Sequence, residues 1–416
     1  MAFQISSAQQ QLQASINLPY SKSLSNRALI LAAAYRYLQL PEPILENLSD
    51  ADDTLILKEA LASNAETINL KNAGTCLRFL MAFFAATRGS KKILTGSERL
   101  KQRPIKGLVD ALQAIGANIT YLDKEGSLPI LIEGKTLKGG KIAVEANLSS
   151  QFVSALMLVS PLMEQGLEIS LKGKAVSTPY IEMTAKLLQH FGLNLNYTSD
   201  FKEIKCDGKF ASTLQRYSIE RDWSSAAFFF EAALLACDAE LFLEGLQLDS
   251  LQGDKQIAQW MHDLGMAVMQ EKEGVYITSN KKQLPSEIVK YDLSDYPDLA
   301  PALVCGLAGS HIAFNISGLE SLKVKESDRV LALKEGLNQL GYDIEMPAAG
   351  TLTYAGNPRI ALHNSPIINT YEDHRMVMAF SLMAIKLGVI HLSEISSVEK
   401  SFPNFFEEAR KIGVIK

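Results

Sequence analysis

Val324–Ile344 reads VKESDRVLALKEGLNQLGYDI. Apolar residues at Val330, Leu333, Leu337 and Leu340 recur at the spacing of one buried helical stripe, and Gly341 then closes the helix ahead of a β-like segment. The opening turn is the unusual part, because it carries Lys325, Glu326, Asp328 and Arg329. Stepping the stripe back one helical turn from Val330 lands on Glu326, so its carboxylate is expected to face packed protein, where a carboxyl pKa rises. A solvated, charged helix start, with Lys325 and Arg329 as neighbours on one face, accounts for the same residues.

The rest of the chain repeats this stretch. Amphipathic helices closed by a glycine and followed by a β-like segment recur as PIKGLVDALQAIGANI, PYIEMTAKLLQHFGLNL, KQIAQWMHDLGMAV and FPNFFEEARKIGVI. Their closing glycines, Gly116, Gly192, Gly265, Gly341 and Gly413, fall about 75 residues apart, and DDTLILKEALA from Asp52 supplies a shorter first copy. A second helix type alternates with these, opening on small polar or charged residues and continuing almost wholly apolar: SLSNRALILAAA, GTCLRFLMAFFAA, SSQFVSALMLVS, SSAAFFFEAALL, YPDLAPALVCGLAG and HRMVMAFSLMAIKLG. Helices apolar on every side are buried. Short strands such as LEISLKG lie between. The pattern predicts an α/β protein of six repeated units, three in each of two domains, with the break near Asp222 and no long linker there.

Composition bounds the function. The chain has 416 residues, 47% hydrophobic and 21% charged, enough apolar material for two sizeable cores. A net charge of -5 argues against general affinity for nucleic acid or anionic membrane, so an anionic ligand must meet a local cluster of cations. Cys76, Cys206, Cys237 and Cys305 form no CxxC pair, and the N-terminus has neither the basic nor the apolar region of a secretory signal. No apolar run is long enough to span a bilayer. The expectation is a cytoplasmic protein, with monomer as the default. His190, His262, His311, His363, His374 and His391 lack metal-ligand spacing, and neither a phosphate loop nor a dinucleotide fingerprint is present. No metal or cofactor is expected.

Unusual polar residues gather at the starts of the buried helices. Ser21–Arg27, SKSLSNR, places Lys22 and Arg27 where the helix dipole disfavours cations, which serine capping alone does not explain. A phosphate or carboxylate would account for them. Asn72–Thr75, NAGT, allows close backbone approach at Gly74. Ser149, Ser150 and Gln151 offer uncharged donors, although capping by Ser149 accounts for the same pattern. Arg103 before Pro104, and Arg375 in EDHRM, are read as further helix-start cations; Asp298 in DYPDLAP is a candidate acid or base, or simply a cap. Lys400 in EKSFPNFF would be placed on the surface by default.

Taken together, SKSLSNRALILAAA, NAGTCLRFL, RLKQRPIKGLVDAL, SSQF, VSTPYIE, DWSSAAFF, YPD, VKESDR, EDHRM and EKSFPNFF resemble the 5-enolpyruvylshikimate-3-phosphate synthase family, in that family's order from Pro19 to the C-terminus. The resemblance implies a two-domain inside-out α/β barrel with three repeats per domain, residues 1–19 plus 222–416 forming one and 20–221 the other. It implies transfer of the enolpyruvyl group of phosphoenolpyruvate to the 5-hydroxyl of shikimate 3-phosphate, with release of phosphate. Position by position it assigns Lys22, Ser23, Arg27, Ser149, Ser150, Gln151, Ser177, Tyr180, Asp298 and Lys325 to shikimate 3-phosphate. It assigns Lys22, Gly74, Arg103, Gln151, Arg329, Arg375 and Lys400 to phosphoenolpyruvate. Lys22, Asp298 and Glu326 are the implied catalytic residues, Asp298 as base toward the hydroxyl and Glu326 as proton donor to the methylene carbon.

The sequence departs from the family at Phe79, where the loop signature has proline, and at Tyr20 and Ser321, where glycine and asparagine occur in some members. A sister family that transfers enolpyruvate to UDP-N-acetylglucosamine usually carries a Cys before its Arg-Pro pair and a Lys-Asn pair near the N-terminus. Here the loop is TGSERLKQRP and Lys22 precedes Ser23. A catalytically inactive phospho-ligand binding protein would have lost Lys22, Asp298, Glu326 or Arg375, and all are present.

Overall fold

The computed structural model describes residues 2–145, 149–280, 287–357 and 366–416, so His363 lies outside the described residues. The chain folds as two compact units, Met1–Pro19 with Glu220–Lys416 (unit 1) and Tyr20–Ile219 (unit 2). The division falls at Glu220, two residues ahead of Asp222, which lies in unit 1 as the N-cap of its first long helix, accepting from the Ser225 amide at 2.7 Å.

Each unit holds a trio of buried helices. In unit 2 these are α1 (Lys22–Tyr37), α2 (Gly74–Ala86) and α3 (Ser150–Val159). In unit 1 they are α4 (Trp223–Leu235), α5 (Ala300–Gly309) and α6 (His374–Leu382). Within each unit the three pack on one another. Leu24–Tyr35 of α1 and every residue of α5 and α6 are buried. That is the outcome expected of helices with no polar face.

Around each trio lie three sheets among the described residues. All but one share a pattern, one parallel pair extended by antiparallel strands; the exception is the two-stranded parallel sheet of Ile44–Glu46 and Arg216–Ser218 in unit 2. In unit 1, Asp238–Glu244 pairs parallel with Gln11–Asn17 and antiparallel with Gly274–Asn280. In unit 2, Leu167–Lys172 pairs parallel with Gly140–Glu145 and antiparallel with Glu203–Phe210. Strands such as Leu167–Lys172 alternate buried and more exposed residues, the signature of a sheet with one face on the core.

The amphipathic helices end as the sequence expects. Gly116, Gly192, Gly265, Gly341 and Gly413 each directly follow the helix C-cap with φ between +78° and +100°, the left-handed stop that glycine adopts without strain. Their starts differ. The helix after VKESD spans Arg329–Gln339, with Asp328 capping it by accepting from the Leu331 amide at 3.1 Å. Glu326 therefore precedes the helix and does not extend its apolar stripe. An Asp able to hold a free amide sets the boundary, as short acidic side chains favour caps over helix interiors. Arg103 likewise sits at the C-cap of a short helix, Glu98–Gln102, not at the start of the next, which opens at Lys106 after Pro104.

Candidate active site

Unit 1 gathers Asp298 and Glu326, the two carboxyls expected to do chemistry, around one arginine. Arg329, the first helical residue after the Asp328 cap, is only 1% exposed. Its Nε donates to Asp373 Oδ2 at 2.8 Å, and its Nη2 to Asp373 Oδ1 at 3.1 Å and Glu326 Oε2 at 2.9 Å. Nη1 donates to Asp298 Oδ1 at 3.1 Å. Burial works against the guanidinium charge, but Asp373, Glu326 and Asp298 together raise its pKa above the usual arginine range.

The other cations meet the same carboxylates. Asp298 faces Lys325 at 3.4 Å and Arg375 at 3.3 Å, and its backbone carbonyl accepts from Arg375 at 2.8 Å. Burial opposes ionisation of Asp298, yet Arg375, Lys325 and Arg329 outweigh it and hold the carboxyl well below the usual carboxylate range. Asp298 is thus no helix cap; it lies in the 3-10 turn Pro297–Leu299 just before α5. Lys400, which the sequence alone would place on the surface, is buried at the end of the turn Ser396–Lys400 and donates to Glu326 Oε1 at 2.7 Å. Four cations thus share three carboxylates in a largely buried cluster, a local positive excess inside a chain of net negative charge.

Sequence reasoning missed Asp373. It is fully buried, caps α6 by accepting from the Arg375 amide at 3.0 Å, and also accepts from Ser327 Oγ at 2.9 Å. The available signal was an acid just ahead of a buried helix that opens on His-Arg, which reads as a cap and nothing more.

Unit 2 presents a second set at the starts of its buried helices. Lys22 opens α1 behind the Ser21 cap and pairs with buried Asp53 at 3.2 Å, a partner the sequence did not single out. Ser149 does cap α3, accepting from the Gln151 amide at 3.2 Å, while the Oε1 of Gln151 is buried with no hydrogen-bond partner among the described residues. α2 opens at Gly74 behind Ala73, with no side-chain cap. Arg103 lies directly over that start: a Cβ on Gly74 would fall 2.5 Å from the Arg103 Cζ and 2.8 Å from Arg78 Nη1. Ser177 holds a left-handed backbone, φ 55°, ahead of the helix Thr178–His190, a conformation that costs a non-glycine residue some strain.

Arg27 is more enclosed than its motif suggests. Its Nε donates to Thr184 Oγ1 at 2.7 Å, Nη1 to the Ser23 carbonyl at 2.8 Å, and Nη2 to Ser154 Oγ and the Tyr180 carbonyl, both at 3.4 Å. Burial lowers its pKa to about 10.

The family model for EPSP synthase (3-phosphoshikimate 1-carboxyvinyltransferase) matches residues 46–409 of this chain. A Bacteroides fragilis protein named 3-phosphoshikimate 1-carboxyvinyltransferase is 40% identical over 407 residues, covering 98% of this chain and 97% of its own. The chain belongs to the EPSP synthase family. Another EPSP synthase relative, the 3-phosphoshikimate 1-carboxyvinyltransferase of Buchnera aphidicola subsp. Cinara cedri, is 34% identical with 95% and 94% of the two chains covered. The EPSP synthase structure from Acinetobacter baumannii shares the fold at a TM-score of 0.76 and 21% identity, covering 100% of this chain and 99% of that one. The enolpyruvyl transferase NikO from Streptomyces tendae does so at 0.75 and 14%, with 99% and 97% covered. This mixed α/β fold is therefore one that enolpyruvyl transferases use.

Proposed function

We propose that this member of the EPSP synthase family transfers the enolpyruvyl group of phosphoenolpyruvate to the 5-hydroxyl of shikimate 3-phosphate and releases phosphate. The observation that carries the reading is the unit 1 cluster, in which Lys325, Arg329, Arg375 and Lys400 surround Asp298 and Glu326. Both substrates are polyanions, and arginine grips carboxylate and phosphate through paired hydrogen bonds. When phosphoenolpyruvate arrives, its oxygens take over donors of Arg329, Arg375 and Lys400 now held by carboxylates; in unit 2, Lys22, Gly74, Arg103 and Gln151 carry the same substrate assignment. Shikimate 3-phosphate is held by Lys22, Ser23, Arg27, Ser149, Ser150, Gln151, Ser177, Tyr180 and Lys325.

The chemistry needs two carboxyls in different states, and the two here have different surroundings. Asp298, ionised by its three cations, takes the proton of the 5-hydroxyl as that oxygen bonds the enol carbon. Glu326 supplies a proton to the methylene carbon. Loss of phosphate, with return of a methyl proton to the Glu326 carboxylate, then restores the double bond. Asp373 touches neither substrate in this scheme; it fixes Arg329 from behind.

The domain reading belongs to the same proposal: residues 1–19 plus 222–416 and residues 20–221 as two domains of an inside-out barrel, three α/β repeats in each. Three sheets around three buried helices in each unit support it. The enzyme acts in the cytoplasm, as a monomer, without metal or cofactor. Among the described residues no helix is long and apolar enough to cross a membrane.

Phosphate release from phosphoenolpyruvate should require shikimate 3-phosphate. Release with UDP-N-acetylglucosamine instead would move the chain to the sister activity, and none with either would leave a binding protein.

A further inference from the structure

The trio of buried helices in unit 2 is tied together by two arginines lying on phenylalanine faces. The Arg27 Cζ of α1 sits 5.4 Å from the centroid of the Phe79 ring on α2. The Arg78 Cζ of α2 sits 5.7 Å from the centroid of the Phe152 ring on α3. Arg27 Nη2 reaches Ser154 Oγ of α3 at 3.4 Å, which closes the circuit back to α1. Both phenylalanine rings are fully buried. Guanidinium over an aromatic face within about 6 Å is attractive, and more so where water is excluded.

Arg27 is the informative member. Its hydrogen-bond partners are neutral: two hydroxyls, Thr184 and Ser154, and two backbone carbonyls, Ser23 and Tyr180. A buried guanidinium with only neutral acceptors is poorly compensated, so the face of Phe79 supplies a share of its electrostatic support that no carboxylate among the described residues does. The two carbonyls it holds belong to residues assigned above to shikimate 3-phosphate, one on α1 and one on the helix Thr178–His190. Whatever fixes the plane of Arg27 therefore fixes the spacing between those two helix starts.

We propose that Phe79 is a positioning residue for shikimate 3-phosphate: its ring sets the plane of Arg27, and Arg27 sets Ser23 and Tyr180. This rests on the substrate assignment made above. It predicts selectivity between substrates. Removing the aromatic face should weaken shikimate 3-phosphate and spare phosphoenolpyruvate, although Phe79 sits on α2, whose first residue is Gly74.

The test is Phe79→Leu beside Phe79→Tyr, which keeps the face. The dissociation constant for shikimate 3-phosphate is measured by titration calorimetry, the KM for phosphoenolpyruvate by phosphate release, and folding by thermal melting. Phe79→Leu is expected to weaken shikimate 3-phosphate roughly fivefold to tenfold. It should leave the phosphoenolpyruvate KM within twofold, and Phe79→Tyr should recover most of the binding. A change under twofold for shikimate 3-phosphate, an equal change for both substrates, or equal loss in the Tyr variant overturns the proposal. If Phe79→Leu does not fold, Phe79→Met takes its place under the same thresholds. A wild-type chain that fails to bind shikimate 3-phosphate overturns the substrate assignment and this inference with it; a wild type that binds, with an unaffected Leu variant, overturns this inference alone.

Discussion

At the scale of single residues, the question is why Asp298 and Glu326, both set against Arg329, should do different work. Asp298 is met by Lys325, Arg329 and Arg375, whereas Glu326 is met by Arg329 and Lys400. Glu326→Gln keeps the shape and the acceptor toward Lys400 but removes the acidic proton. It is expected to lower kcat by about 10²–10⁴ with little change in either KM, the span of one positioned proton transfer. Near-normal turnover with normal substrate affinity would remove Glu326 from the chemistry. Asp298→Asn should also cut turnover, and it carries a stability signature. The folded pKa of Asp298 is depressed, so its contribution is present above the unfolded value of about 3.9 and is lost as the pH falls through the lower folded value. The stability gap between wild type and Asp298→Asn, measured by denaturant unfolding, should therefore hold from pH 7 to about 5 and narrow below about 4. A gap independent of pH would mean that Asp298 is not held ionised by its cations.

At the scale of elements, the buried helices differ in how they begin. Ser21, Ser149, Asp222 and Asp373 each accept a backbone amide at the starts of α1, α3, α4 and α6. α2 has no such cap, and at its start Gly74 lets the Arg103 guanidinium lie against the backbone. Gly74→Ala would put a methyl group where Arg103 now lies, so Arg103 must move. The expected result is a phosphoenolpyruvate KM raised about tenfold to a hundredfold, the worth of one charge-assisted contact, with shikimate 3-phosphate affinity nearly unchanged. An unchanged KM would separate Arg103 from that substrate.

The helices themselves were legible because their signals are local. Periodicity, closing glycines and all-apolar stretches fix two helix types without reference to anything distant. The starts were less legible: the stripe ran back from Val330 onto Glu326, while Asp328 captured the Leu331 amide and set the start of the helix at Arg329, three residues later. Partners drawn from far along the chain were not legible at all. Asp53 on Lys22, Asp373 on Arg329 and Phe79 beneath Arg27 depend on which helices come to lie side by side, and a buried acid at a helix start looks in sequence like any other cap.

At the scale of the whole molecule, the two units need not share one stability, and one residue marks unit 1. Glu231 lies in the middle of α4, fully buried, and neither carboxyl oxygen has a hydrogen-bond partner among the described residues. Its Cγ and Cα lie close to Gly306 of α5. Burial pushes its pKa well above the usual carboxylate range, and burial likewise pushes the neighbouring Cys305 thiol well above the usual thiol range. An acid in this position stays neutral when folded and ionises when unfolded. The contribution of Glu231 to unit 1 is therefore most favourable below the unfolded-state value of about 4.3 and falls as the pH rises toward the folded-state value, by about 1.4 kcal/mol per pH unit. Glu231→Met, of similar length and without charge, should stabilise unit 1, and the gain should grow from pH 5 to pH 8. Both tryptophans, Trp223 and Trp260, are in unit 1, so their fluorescence during denaturant unfolding follows the unit that contains Glu231. A gain that stays constant over that pH range would show that Glu231 does not change its charge on unfolding.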